Sequence, residues 1–246
     1  GPLCRTAGDA AVLLQAIAGF DPEDPASIDS PRVDYAQSLT RDTKRLRLGR
    51  PRNLYFEKLD PEIDSSVSAA IDVLRDLTAG VQDIDMPEIP RLSLMPVEAN
   101  AYFSDALKAS PDGFSAGTRA LFDMGGRISA ADYARAKQRL EVLRRTVRQL
   151  FNAVDVIVTP TTPNLPDRLG GGSDAPPQRG PPLSARNTTP FNIFGLPTVS
   201  VNCGFSRSGL PIGLQISGPA LGDATVLALA HAYQRHTDWH TPAPGQ

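Results

Sequence analysis

Two short runs of β-branched and apolar residues, joined by four turn formers, constrain this chain most. Thr198–Cys203 and Ile212–Ser217 predict strands, and Ser206-Arg207-Ser208-Gly209 supplies the turn between them. A hairpin this apolar is marginal alone in water. It therefore predicts a larger sheet with a covered face.

The rest of the chain alternates helix and strand, which predicts an α/β layered fold. Thr6 to Ala18 reads as a helix, with Ala10, Leu13, Leu14 and Ile17 as its inner stripe and Gly19 as its stop. Asp60-Pro61 pairs an N-cap with a first-turn proline, and Ile63, Val67, Ala70, Ile71 and Leu74 form the face to be buried. Gly80 is expected to end that helix, and a strand follows over Val81 to Met86. Leu92 to Leu107 reads as helix, broken by Pro111 to Gly117. Ser129-Ala-Ala-Asp resembles a capping box opening a helix that runs to about Phe151. Asp155 to Thr159 is a continuous apolar strand suited to the middle of a sheet. Asp223 is expected to cap a last helix with Val226, Leu227, Ala230 and Tyr233 inside.

Charge narrows the function. The 246 residues carry 25 basic and 27 acidic side chains, a net charge of −2. That balance gives no bulk field for nucleic acid or a membrane surface. Arg41, Lys44, Arg45, Arg47, Arg50 and Arg52 cluster in sequence, but without interleaved aromatics they read as a solvated loop. The basic residues of the 129–151 helix read the same way, against the alternative of a partner-binding face. No apolar run approaches the about 18 residues of a membrane span. Two cysteines, Cys4 and Cys203, cannot build a disulfide framework or a four-cysteine zinc site. A reducing, cytoplasmic setting is the expectation. The first methionine is Met86, and the chain is read as a fragment or a processed product.

Hydrolytic chemistry needs an activated nucleophile, a proton shuttle and donors for the oxyanion. Neither a Gly-x-Ser-x-Gly elbow nor a Ser-x-x-Lys occurs. The three histidines, His231, His236 and His240, lie near the C-terminus at spacings that do not share a helical face. Cys203 reads as a buried structural thiol rather than a nucleophile. No cofactor and no metal site is expected.

A family resemblance rests on ordered motifs. Gly1-Pro-Leu-Cys-Arg-Thr and Asp9-Ala-Ala-Val-Leu-Leu-Gln-Ala-Ile-Ala-Gly-Phe-Asp-Pro-Glu-Asp come first. Asp155-Val-Ile-Val-Thr-Pro-Thr-Thr-Pro follows, then Thr189-Pro-Phe-Asn, Gly195-Leu-Pro, Cys203-Gly-Phe and Gly209-Leu-Pro-Ile-Gly-Leu-Gln. Together they resemble the C-terminal half of amidase-signature enzymes, a family that includes amidases and the catalytic amidase component of amidotransferases. The resemblance implies an amidase-signature fold over residues 1–246, with a mixed central sheet and helices on both faces. It implies a serine amidohydrolase using a Lys, a bridging Ser and a nucleophilic Ser, all upstream of this chain. A small-molecule amide or ester is the implied substrate, of neutral or apolar character. The missing N-terminal half, or a second copy, is the implied partner.

Site residues follow by position. Thr188 and Phe191 stand where family members line the acyl pocket, with core packing the open alternative. Asn192 either caps a short helix or holds the loop over the site. Arg119 is in register with an arginine that grips a substrate carboxylate in glutamine-using relatives, and a structural role is its alternative. Those relatives carry an Asp where this chain has Ala185, which puts glutamine recognition in doubt. Residues 160–186 hold seven prolines and four glycines, as an entrance lid or a linker would. A non-catalytic scaffold or a degenerate fragment is the competing class. Adventitious ester hydrolysis is a third possibility, for which the sequence names no residue.

Overall fold

The computed structural model describes residues 1–90, 92, 94–166 and 185–241. Five strands form one mixed sheet: β1 (Arg47–Pro51), β2 (Gly80–Ile84), β3 (Val156–Pro160), β4 (Thr198–Phe205) and β5 (Pro211–Ser217). Their spatial order is β2-β1-β3-β5-β4. β1 runs parallel to β2 and β3, whereas β5 runs antiparallel to β3 and β4. The chain divides into two compact bodies, residues 1–86 with 148–246 and residues 87–147.

The first body holds the sheet with α1 (Ala7–Ile17), α2 (Tyr35–Ser38), α3 (Pro61–Leu77), α7 (Thr189–Phe194) and α8 (Asp223–Gln234). Successive strand side chains alternate between faces. Val156, Val158, Val201, Cys203, Ile212, Leu214 and Ile216 therefore make one apolar face. They join Ile63, Val67, Ala70, Ile71 and Leu74 of α3 and Val226, Leu229, Ala230 and Tyr233 of α8 in one core. Each large aliphatic side chain buried there contributes about 1.5–3 kcal/mol. The mixed α/β architecture expected from the sequence is the one found.

The other face holds the buried Ile157 of β3 among mostly polar residues. It carries Thr159 on β3, Gln215 and Ser217 on β5, and Thr198, Ser200 and Asn202 on β4. Thr198 and Ser217 share a hydrogen bond of 2.9 Å across the β4–β5 register. Thr161, just past β3, and Ser200 on β4 share one of 2.7 Å that passes over Gly213 on the strand between.

Several helix details depart from expectation. The inner face of α1 is Ala7 and Ala11, while Leu13 and Ile17 are 47% and 66% exposed. The small residues admit α8 closely, and the Ala7 N–H donates to Gln234 Oε1 at 2.8 Å. Gly19 does not take a left-handed conformation; α1 closes with the Ala18 N–H on the Leu14 carbonyl. Asp60 caps α3 as expected, accepting from the Glu62 N–H at 2.8 Å. The helix ends on an extended Thr78, and Gly80 opens β2 instead. Asp223 is the first residue of α8, not its cap; Gly222 takes that place because the Pro219–Gly222 turn runs straight into the helix. Its carboxylate still suits the positive end of the helix dipole.

The second body is helical: α4 (Leu94–Ala109), a 3-10 turn at Pro111–Gly113, α5 (Ala116–Gly126) and α6 (Ala130–Leu150) up to Val147. α5 begins at the end of the predicted 111–117 break and runs on through residues for which the sequence predicts no element. Pro111 does interrupt the chain, but Ser115 starts a new helix by accepting from the Thr118 N–H at 3.2 Å. Phe103 and Phe122 stack with centroids 5.5 Å apart, and Phe114 meets both edge-on. Ser129 and Asp132 bond reciprocally at the start of α6. Arg135, Arg144 and Lys137 pair with Asp132, Glu141 and Glu98, as a solvated face would.

Candidate active-site wall

A single buried amide organises the segment entering α7. Asn187 is fully buried. Its Nδ2 donates to the Tyr55 and Pro160 carbonyls, both at 2.9 Å. Its own carbonyl accepts from Gln215 Nε2 at 3.0 Å, and the same Nε2 donates to Thr159 Oγ1 at 2.9 Å. Four distant segments thus meet at one residue: the loop after β1, the end of β3, β5 and the approach to α7. Oδ1 of Asn187 accepts from Arg186 Nε at 3.1 Å.

α7 is short and closed at both ends. Pro190 sits in its first turn, and Gly195 ends it at φ 71°, a conformation that favours glycine. The Gly195 N–H donates to the Phe191 and Asn192 carbonyls.

The expected site residues fall as follows. Thr188 is half-buried, and its Oγ1 donates to the Ala185 carbonyl at 3.4 Å. Phe191 is 1% exposed and packs on Tyr55 and Phe194, with ring centroids 5.5 and 6.1 Å away. Asn192 is exposed within α7 and does not cap it; the cap position is Thr188, which makes no side-chain capping bond. Arg119 belongs to the second body, where Nη1 donates to the Pro111 and Phe114 carbonyls at 2.8 Å each. That guanidinium braces the 3-10 turn. Of the expected entrance loop, residues 167–184 lie outside the described residues.

Sequence reasoning missed Asn187, Gln215, Thr159, Tyr55 and Arg186. Polar residues inside otherwise apolar strand runs were the available signal for Gln215 and Thr159.

Electrostatics argue against a local nucleophile. Burial pushes the Cys203 thiol up to about 12, so it stays protonated. Burial raises the Tyr55 phenol further still. His231 is pulled below the ordinary histidine value by burial and then by Arg235, and His236 Nδ1 lies 2.8 Å from the Ala232 carbonyl. Among the described residues, no Ser or Thr hydroxyl is bonded to a Lys or His side chain. Nor, among them, do three His, Cys, Asp or Glu side chains converge as a metal site, and no helix is long and apolar enough to cross a membrane. Surface depressions lined by Asp123, Met124 and Arg127, and by Arg32, Gln37 and Arg41, include none of the expected residues. The hydrogen bonds of Asn187 and Gln215 fix α7 against the sheet; they do not make an acyl-transfer centre.

Comparison with known proteins places the chain in a family. The Amidase family profile matches residues 1–227. An amidase of Pseudomonas putida is 37% identical over 253 residues, covering 99% of this chain and 54% of that protein. The A component of the glutamyl-tRNA(Gln) amidotransferase of Roseiflexus sp. (strain RS-1) is 38% identical over 272 residues, covering 99% and 55%. A bacterial aryl acylamidase of the amidase-signature family superposes with a TM-score of 0.82 at 24% identity, over 97% of this chain and 53% of that one. The chain therefore spans about half the length of the curated relatives it matches. Its sheet, its motifs and its fold neighbours agree: the chain belongs to the amidase family.

Proposed function

We propose that this chain forms the pocket wall and scaffold of a serine amidohydrolase cleaving a small carboxamide, and also esters. The observation that carries the reading is the Asn187 junction, which fixes α7 on the polar face of the sheet. In this reading the polar face and α7 border the acyl pocket, with Thr188 and Phe191 at its wall and Asn192 on its rim. Arg119, on the second body, is a separate substrate-binding candidate carried by its register with the family alone. The Lys-Ser-Ser set stands outside these 246 residues, on a polypeptide half or partner that completes the site. An acyl-enzyme forms on that Ser as the amine departs with a proton, and water then releases the acid. The balanced charge and the presence of only two cysteines support a cytoplasmic setting without nucleic-acid or membrane partners.

Intact mass, with aryl-amide and aryl-ester hydrolysis measured on the same sample, tests the reading. A co-purifying upstream polypeptide and clear amide turnover are expected. A mass of the 246 residues alone with no amide turnover would make the chain a non-catalytic module.

A further inference from the structure

We propose that Arg186 is the anion-recognising residue of this site, and that the amide substrate carries a carboxylate bound there. The inference rests on the reading of α7 as pocket wall.

Arg186 is half-buried at the approach to α7. Its Nε is committed to Asn187 Oδ1 at 3.1 Å. Asn187 is in turn fixed by two carbonyls, so one edge of the guanidinium is held in place. Nη2 is shut off from water and has no hydrogen-bond partner among the described residues. Glu57 is the acidic group whose field reaches Arg186, yet its Oε1 accepts from the Leu54 N–H at 2.9 Å. Arg186 forms no ion pair among the described residues.

A desolvated guanidinium N–H left unmatched is costly, and buried donors in native proteins nearly always find an acceptor. The group cannot escape by losing its proton. Desolvation lowers its pKa and Glu57 opposes the shift, but arginine starts too high to neutralise. An acceptor brought by the ligand removes the deficit. A carboxylate fits best, because one of its oxygens accepts from Nη2 in a charge-assisted bond and its single charge matches the single guanidinium. A neutral carbonyl would satisfy Nη2 without balancing the charge.

Calorimetric titration of the intact protein with sodium benzoate and with benzamide, its neutral isostere, tests this. Benzoate should bind at least about tenfold tighter than benzamide. Arg186→Gln should abolish that preference, benzoate losing at least about tenfold more affinity than benzamide. Equal affinities in the wild type, or a benzoate preference kept by R186Q, overturn the proposal. Should R186Q not melt cooperatively, a wild-type crystal structure with benzoate decides. A carboxylate within hydrogen-bond distance of Arg186 upholds the proposal; benzoate elsewhere, or absent, overturns it. None of these measurements uses turnover, so an inactive protein refutes the hydrolase reading alone. Equal benzoate and benzamide affinities in a wild type that turns amides over refute the role of Arg186 alone.

Discussion

Thr161 and Ser200 are joined by a 2.7 Å hydroxyl bond that spans the strand lying between them. Only a missing side chain makes room for it. A Cβ on Gly213 would stand 2.6 Å from Thr161 Oγ1 and 2.7 Å from Ser200 Oγ. Gly213→Ala should therefore break the bond and cost about 1–2 kcal/mol. Urea unfolding of the two proteins checks it; an unchanged midpoint would mean that both hydroxyls swing aside freely.

Asn187→Ala should be more damaging. It strands the Tyr55 and Pro160 carbonyls, each buried beneath the approach to α7. A loss of about 2–4 kcal/mol is expected for two such groups. Hydrogen exchange should report faster opening around α7 than around α3, since α3 packs on the opposite face of the sheet. Uniform acceleration would show that Asn187 supports the whole fold rather than this wall.

The two cysteines should differ sharply in reactivity. Cys4 is exposed and Cys203 buried. At pH 8 iodoacetamide should label Cys4 in the native protein and Cys203 only after denaturation, as read by peptide mass. Burial raises the Cys203 thiol from 9.0 to about 12, so the folded state holds its proton longer than the unfolded one. This group's contribution is fully present below pH 9 and is lost as pH rises towards 12. Cys203→Ala should flatten the alkaline fall in stability, and an identical alkaline profile would deny the thiol that role.

Asp155 should shape the acid limb. Its carboxylate accepts from the Arg47 Nε, Nη2 and backbone N–H at 3.0, 2.9 and 2.8 Å. The hydrogen bond to the Arg47 side chain chiefly holds it below the ordinary aspartate value. A depressed carboxylate stabilises the fold above its unfolded value and loses that effect as pH falls through its folded one. Both partners are partly exposed, so the pair contributes only about 1 kcal/mol. Asp155→Asn should lower stability at pH 7 by about that much and make the loss below pH 4 shallower. Parallel acid profiles would count against the assignment.

The elements legible in sequence are those with a strong local signal. The 198–217 hairpin, the Asp60-Pro61 start of α3 and its buried face all rest on short-range patterns, and the structure keeps them. The stripe of α1 misleads because it competes with the tight approach to α8, which selects Ala7 and Ala11 over Leu13 and Ile17. The site is harder to see. Thr188 and Phe191 are flagged by motif position, whereas Asn187 acquires its role only from partners 132, 28 and 27 residues away. No local pattern encodes a junction between segments so far apart.

The strand order also sets a timetable. β1, β2 and β3 are complete by residue 160, but β3 lies in mid-sheet, and its other neighbour, β5, ends only at Ser217. During synthesis the growing sheet holds an unfinished edge along β3 until the hairpin emerges. Pairings of high sequence separation form slowly, and open edges are prone to aggregate. The Asn187 junction closes over that same seam, so α7 is among the last pieces set. A nascent chain halted before residue 211 should depend on chaperones in a way that the finished chain does not.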